Sequence, residues 1–269
     1  MRVMLPDDPR NRRVTIRRGL LGLIRGTYTS PACLERILNL NMVQKLKEQT
    51  LEANLELARR GLVLYTFGNA SGIDREQGLV VIKPSGVDYD KLKPEHMVVT
   101  DLEGNIVEGD LRPSSDLKTH LALYKAFESI GAVVHTHSEN ATAWAQACRD
   151  IPAFGTTHAD YFHGPVPCTR ELTDAEINGD YVLNTGTAIV ERFTGMDPLA
   201  VPGVLVAGHA PFAWGKTPHD AAHNAVVLEA VAKMAFMTVM LNPNCSVSKT
   251  LLDRHYYRKH GSNATYGQK

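Results

Sequence analysis

Apolar positions recur along the chain with two periods, and the changes between them mark out the elements. From Met42, Val43, Leu46, Leu51, Leu55 and Ala58 fall near helical spacing, and Gly61 stands where a helix stop belongs. Residues 62–66 then read as a strand, followed by Phe67-Gly-Asn-Ala-Ser-Gly72. Residues 73–82 read as a hairpin over Asp74-Arg-Glu-Gln-Gly78, and Lys83-Pro-Ser-Gly86 leaves its second strand. Residues 97–102 and 106–108 form another strand pair around Glu103-Gly-Asn105. A helix opened by Leu111-Arg-Pro-Ser-Ser-Asp116 carries Leu117, Leu121, Tyr124 and Phe127 on its apolar side.

Next comes Gly131-Ala-Val-Val-His-Thr-His-Ser138, a short apolar run ending in two histidines, which reads as a buried strand between helices. A helix over residues 138–149 follows, then a stretch over 152–172 that is mostly loop and short strand. Thr173-Asp-Ala-Glu176 has the spacing of a capping box. A helix near 186–194, a strand at 203–206 and helices near 218–241 and 248–260 complete the chain. The alternation of helices and strands, with no repeat or linker, predicts one mixed α/β domain over residues 42–269.

Charge changes the picture at one end. The 269 residues are 43% hydrophobic and 22% charged, with zero formal net charge, which favours neither nucleic acid nor an anionic membrane as partner. Residues 1–41, however, hold eight arginines, no lysine and three acids, a net of +5. They read as a weakly ordered extension without the apolar core of a secretory signal. The stretch over 221–241 is the best candidate for a membrane span, but His223, Asn224, Glu229 and Lys233 interrupt it, so no span is expected. Cys33, Cys148, Cys168 and Cys245 are scattered, as reduced thiols of a cytoplasmic protein would be.

The candidate chemistry begins at His135 and His137. Side chains two apart on a strand share a face, so both imidazoles would point the same way, either as two hydrogen-bonded histidines or as half of a metal site. His209, in Val204-Leu-Val-Ala-Gly-His-Ala-Pro-Phe-Ala-Trp-Gly215, supplies a third nitrogen. Three ligands and an open position are what a catalytic zinc needs. Asp116 is either a fourth, oxygen ligand or a helix cap. Turns at Gly68-Asn69, at Lys83, Ser85 and Gly86, and at Ser114-Ser115 expose backbone N–H groups, and the last precedes a helix whose N-terminus favours an anion. Asp160 lies in the polar loop Thr156-Thr-His-Ala-Asp-Tyr161 and is a candidate acid or base.

GNASGIDREQGLVVIKPSGVDY, PSSD, SIGAVVHTHS, GTTHADYF, CTRELTDAEINGDY, PGVLVAGHAPFAWGK and LLDRHYYRKHG together resemble the class II aldolase/epimerase family, and within it the L-ribulose-5-phosphate 4-epimerases. The resemblance runs from about Met42 to the C-terminus. It implies an α/β domain around a central, mainly antiparallel sheet, assembled as a homotetramer with active sites between subunits. It implies that His135, His137 and His209 bind a divalent metal, zinc or another such as manganese, with Asp116 beside it. Gly68, Asn69, Ser85, Gly86, Ser114 and Ser115 match its substrate and phosphate positions, with Lys83 next to them. Asp160 and Tyr266 match its paired acid/base residues, with His255 and Arg258 near the site. The implied reaction is a retro-aldol epimerisation of a sugar phosphate. A sugar-phosphate aldolase of the same fold is the nearest alternative; such aldolases carry Glu where Asp116 stands. A non-catalytic domain like the adducin head is a more distant one. The Ala-Gly before His209 departs from the more polar pair that the resemblance leads one to expect.

Overall fold

The computed structural model describes residues 31–261 and 264–265, with side chains from residue 41 onward. Seven strands form one sheet: β1 (Asn69–Asp74), β2 (Leu79–Ile82), β3 (Val98–Asp101), β4 (Ile106–Glu108), β5 (Ala132–His135), β6 (Gly203–Leu205) and β7 (Pro211–Gly215). The order across the sheet is β4-β3-β2-β1-β5-β7-β6, and every pairing is antiparallel. The helices are α1 (Pro31–Arg59), α2 (Leu117–Ala126), α3 (Glu139–Gln146), α4 (Thr156–Ala159), α5 (Asp174–Asn178), α6 (Tyr181–Arg192), α7 (Pro218–Leu241) and α8 (Lys249–His260).

Strand alternation sorts the contacts onto two faces. On one face Trp214 is fully buried, with its ring 5.5 Å from Phe127 and 5.0 Å from Phe193, so α2 and α6 close over β7. Ser71 belongs to that face, because its hydroxyl meets His120 and Tyr124 of α2. Gly72 turns the other way. A Cβ on Gly72 would lie 2.8 Å from Leu46 of α1 and 3.1 Å from Pro218 of α7. Two helices thus press on β1 where the side chain is smallest. α3 is tied to α7 by the Trp144 indole, which donates to the Ala232 carbonyl at 3.0 Å.

That packing corrects the first strand. Residues 62–66 are not extended in the sheet; Tyr65 has a φ of 52°, and the chain enters the sheet only after Gly68, whose φ is 73°. The strand is instead made of Asn69-Ala-Ser-Gly-Ile-Asp74, which begins in the small, polar residues that read as a turn and runs into the first strand of the expected hairpin. They are extended because each is paired on both sides, to β2 and to β5, under close-packed helices. β7 is a second element that the sequence reading does not assign: Pro-Phe-Ala-Trp-Gly lies between β5 and β6 and is wholly buried.

Helix ends move by a few residues. α3 stops at Gln146, before Cys148 adopts a φ of 51°. α6 begins at Tyr181, where the Asp180 side chain accepts from Leu183 N–H as the cap. The stretch over 152–172 contains the short helix α4. The Thr173 capping box forms with both reciprocal hydrogen bonds, and α1 extends back to Pro31, ahead of Met42. α7 is long and apolar enough by length and composition to cross a membrane, contrary to the sequence expectation. Its apolar residues have another use, since Ala221, Ala222, Ala225, Leu228, Val231, Ala232 and Ala235 are buried against the core.

Candidate metal and sugar-phosphate site

His135 ends β5, between Asn69 of β1 and Phe212 of β7 in the sheet register. Its ring stacks on Phe212 at 4.2 Å, and its Nδ1–H donates to the Pro211 carbonyl at 3.0 Å. That hydrogen bond fixes the tautomer and leaves the Nε2 lone pair free. His137, just past the strand, brings its own Nε2 to 3.2 Å. His209 arrives from the β6–β7 turn with its ring 5.0 Å from each of the other two. Among the described residues, these three place one ligand nitrogen each within 4.8 Å of one another.

All three imidazoles are held neutral, as ligands must be. Burial pushes His135 down to about 3, the neighbouring imidazoles adding to it against the Asp116 charge. Burial likewise lowers His137 and His209, with Asp116 opposing. Neutral nitrogens that face one another with one Nδ1–H already committed are a donor set for a divalent cation, so the residues fit the metal that the sequence suggested. Tyr181, which sequence reasoning passed over, has its hydroxyl 3.3 Å from His209 Nδ1 and can hold that ring's tautomer in the same way.

Asp116 stands outside the 4.8 Å group. It occupies the N-cap of α2 yet makes no capping hydrogen bond with its side chain. Its Oδ2 instead accepts from Asn69 Nδ2 at 2.6 Å and from Ser114 Oγ at 3.4 Å. Burial disfavours its charge, but the fields of His135 and His120 and the Asn69 amide outweigh that and hold the carboxyl below its usual range.

The turn residues come together around Lys83. Ser85 N–H donates to the Arg112 carbonyl and Ser114 N–H to the Lys83 carbonyl, zipping the two loops side by side. Asn69 Nδ2 reaches Ser114 Oγ at 2.9 Å. Ser85, Gly86 and Ser115 are exposed, whereas Lys83 is 1% exposed beneath them. Its ammonium lies 4.7 Å over the Tyr89 ring and 3.3 Å from the Thr66 carbonyl. Burial lowers Lys83 to about 8, with Asp88 partly offsetting. Gly68 is confined: a Cβ there would sit 2.8 Å from the His135 carbonyl.

A second cluster gathers at α4 and α8. Asp160 accepts from Arg258 at 3.1 Å and from His255 Nδ1 at 3.1 Å, with Lys259 at 3.5 Å. Burial would raise Asp160, but Arg258, His255 and Lys259 prevail and keep it ionised. Three residues singled out separately in the sequence, Asp160, His255 and Arg258, therefore meet. Tyr266 lies outside the described residues.

Known structures agree with this architecture. An L-fuculose 1-phosphate aldolase is 25% identical, with a TM-score of 0.69 over 80% of this chain and 96% of its own. YgbL from Escherichia coli, described as a putative aldolase/epimerase/decarboxylase, is 23% identical with a TM-score of 0.65, over 80% of this chain and 99% of its own. An L-fuculose-1-phosphate aldolase from Thermus thermophilus, 23% identical with a TM-score of 0.57 over 76% of this chain and 98% of its own, shares the fold. The family model for the class II aldolase and adducin N-terminal domain matches residues 48–236, a span that holds the sheet, the three histidines, Asp116 and Asp160; the chain belongs to that family.

Proposed function

We propose that the protein interconverts L-ribulose 5-phosphate and D-xylulose 5-phosphate by opening and re-forming the C3–C4 bond. The observation that carries this reading is the position of Asp116. Drawn onto Asn69 and Ser114, it leaves three histidines as ligands and the rest of the coordination sphere open for two substrate oxygens. A divalent cation there, zinc or manganese, supplies Lewis acidity to the C2 ketone and C3 hydroxyl when bound.

The chain's own residues do the rest. Gly68, Gly86 and Ser115 offer turn N–H groups, and Ser85 and Ser115 hydroxyls, to the phosphate, with Ser114 and Asn69 holding the turns together and the Lys83 charge below. C4 carries no acidic hydrogen, so inversion needs bond cleavage rather than deprotonation. Asp160, already ionised, takes the C4 hydroxyl proton from one face. Tyr266, a phenol that starts protonated, serves the other face. His255 and Arg258 hold Asp160 in place. α8 carries His255 and Arg258, which brings its C-terminal end beside Asp160. These groups would meet the histidine site of a neighbouring copy in a homotetramer.

The likeness to the fuculose-phosphate aldolase supports a second reading, cleavage without re-addition. One incubation separates the two. L-Ribulose 5-phosphate with zinc-loaded protein should yield xylulose 5-phosphate and no free glycolaldehyde phosphate. Release of the aldehyde would favour the aldolase, and neither product would exclude this substrate.

A further inference from the structure

A hydrogen-bonded chain runs from the protein interior to the edge of the histidine site, and neither the family match nor the proposed reaction assigns it a role. Tyr124 of α2 is 1% exposed and meets Ser71 Oγ at 2.7 Å. Ser71, fully buried on β1, meets His120 Nδ1 at 2.7 Å. His120 is also fully buried, and its Nε2 has no partner among the described residues. A buried imidazole nitrogen left alone at one end of an otherwise complete chain calls for an explanation.

The direction of the chain follows from its inner end. Among the described residues, Ser71 Oγ is the one acceptor within hydrogen-bond distance of the Tyr124 phenol. The phenol proton then has Ser71 Oγ as its acceptor, since the reverse order would strand it in the core. The Ser71 hydroxyl in turn donates to His120 Nδ1, which places the ring hydrogen on Nε2. Tyr124, Ser71 and His120 thus present a fixed N–H outward.

Asp116 lies on the side to which that N–H is presented. It is four residues before His120, so the two share a face at the start of α2, and the His120 backbone N–H donates to the Asp116 carbonyl at 3.2 Å. Asn69 and Ser114 address Oδ2 of the carboxylate, leaving Oδ1 without a described partner. The field of Asp116 reaches the His120 ring. Phe212, edge-on to His120 at 6.0 Å and stacked on His135, fills the other side and closes that direction to solvent.

We propose that His120 is a positioning residue: Tyr124 and Ser71 fix its Nε2–H, which holds Asp116 through one bridging water in the orientation that the three histidines require. The proposal rests on the reading of His135, His137 and His209 as a metal site. It makes Asp116 part of an outer shell supported from two sides, by Asn69 on β1 and by His120 on α2, and it ties the site to the face of the sheet opposite α1 and α7.

Cobalt binding tests it without any assay of turnover. The protein is stripped and titrated with Co²⁺ while its visible spectrum is recorded, for wild type, Asp116→Asn, His120→Phe, His120→Gln, Tyr124→Phe and the Asp116→Asn/His120→Phe double variant. His120→Phe and Asp116→Asn should each weaken cobalt binding by roughly 10- to 100-fold and shift the spectrum, the scale of outer-shell losses. The double variant should be no worse than the more affected single, because the two act through one contact. His120→Gln, which keeps a donor near the Nε2 position, should recover most of the affinity. Tyr124→Phe, remote from the histidines, should weaken binding in the same direction. Should His120→Phe fail to fold, the Gln and Tyr124→Phe variants carry the test. Wild-type affinity and spectrum in His120→Phe, or additive effects in the double variant, would overturn the role of His120 alone. A wild-type protein that takes up no cobalt would overturn the metal site and this proposal with it.

Discussion

His135 and His137 show how much of the chemistry rests on single atoms. Their Nε2 atoms lie 3.2 Å apart, and His135 has already committed its Nδ1–H to Pro211. Two lone pairs at that distance repel until a proton or a cation comes between them. His137→Ala removes one ligand from an exposed position at little structural cost. It should leave the fold intact and weaken zinc binding by at least about 100-fold, since the two remaining ligands cannot close the site; competition with a chromophoric chelator measures this. Tyr266→Phe deletes one oxygen, and xylulose 5-phosphate formation should fall roughly 100-fold with zinc content unchanged. Normal epimerisation in that variant would transfer the second proton to another residue. The convergence of His135 and His137 was legible in the sequence, because imidazoles two apart near a strand end share a face. His120 and Tyr181 were not, because a histidine inside an amphipathic helix looks like any core histidine until its partners on β1 and β7 are in place.

At the level of elements, β1 is the strand that pattern alone could not reveal. Hydrophobic alternation finds strands that supply side chains to the core, and Asn69-Ala-Ser-Gly72 supplies mostly room. Gly72 lets α1 and α7 close on the sheet, while Asn69 and Ser71 carry polar links toward α2. Gly68, at the entry to this strand, has a positive φ and lies against the His135 carbonyl. Gly68→Ala should therefore cost about 2 kcal/mol or more, the scale of a strained non-glycine residue with a steric clash added. Because the clash is with His135 itself, metal affinity should fall with stability, whereas Gly78→Ala, with a similar φ but open space around it, should lose stability alone. Thermal melts with and without zinc distinguish the two. Helices with strong ends, such as α7 after Thr217 and α8 after Ser248, were legible to within a residue, since each has a side-chain cap in the expected place.

For the molecule as a whole, the buried histidines set a dependence on pH. Burial lowers both His120 and His158 to about 4. Each remains neutral in the folded chain and gains a proton near pH 6.5 on unfolding, so stability is lost as pH falls below about 6.5. Between about pH 6 and pH 4 these two together should contribute roughly 2.7 kcal/mol per pH unit, about half from each, in addition to the loss from metal-free His135. Depressed carboxyls such as Asp160 act in a lower window, below their ordinary range. Denaturant titrations across pH check the slope, and His158→Gln, which keeps the donor to the Gly164 carbonyl, should remove one histidine's share, about 1.4 kcal/mol per pH unit. The place of β5 in the sheet has a kinetic consequence as well. Its neighbours are β1 and β7, so His135 and His137 meet His209 only after residues 203–215 have inserted beside a strand formed some 70 residues earlier. The meander β1–β4 can assemble from local contacts, but the histidine triad belongs to the slow, long-range closure. Zinc added during refolding should therefore leave the rate of collapse unchanged and act mainly as a latch, slowing unfolding once the last two strands are home.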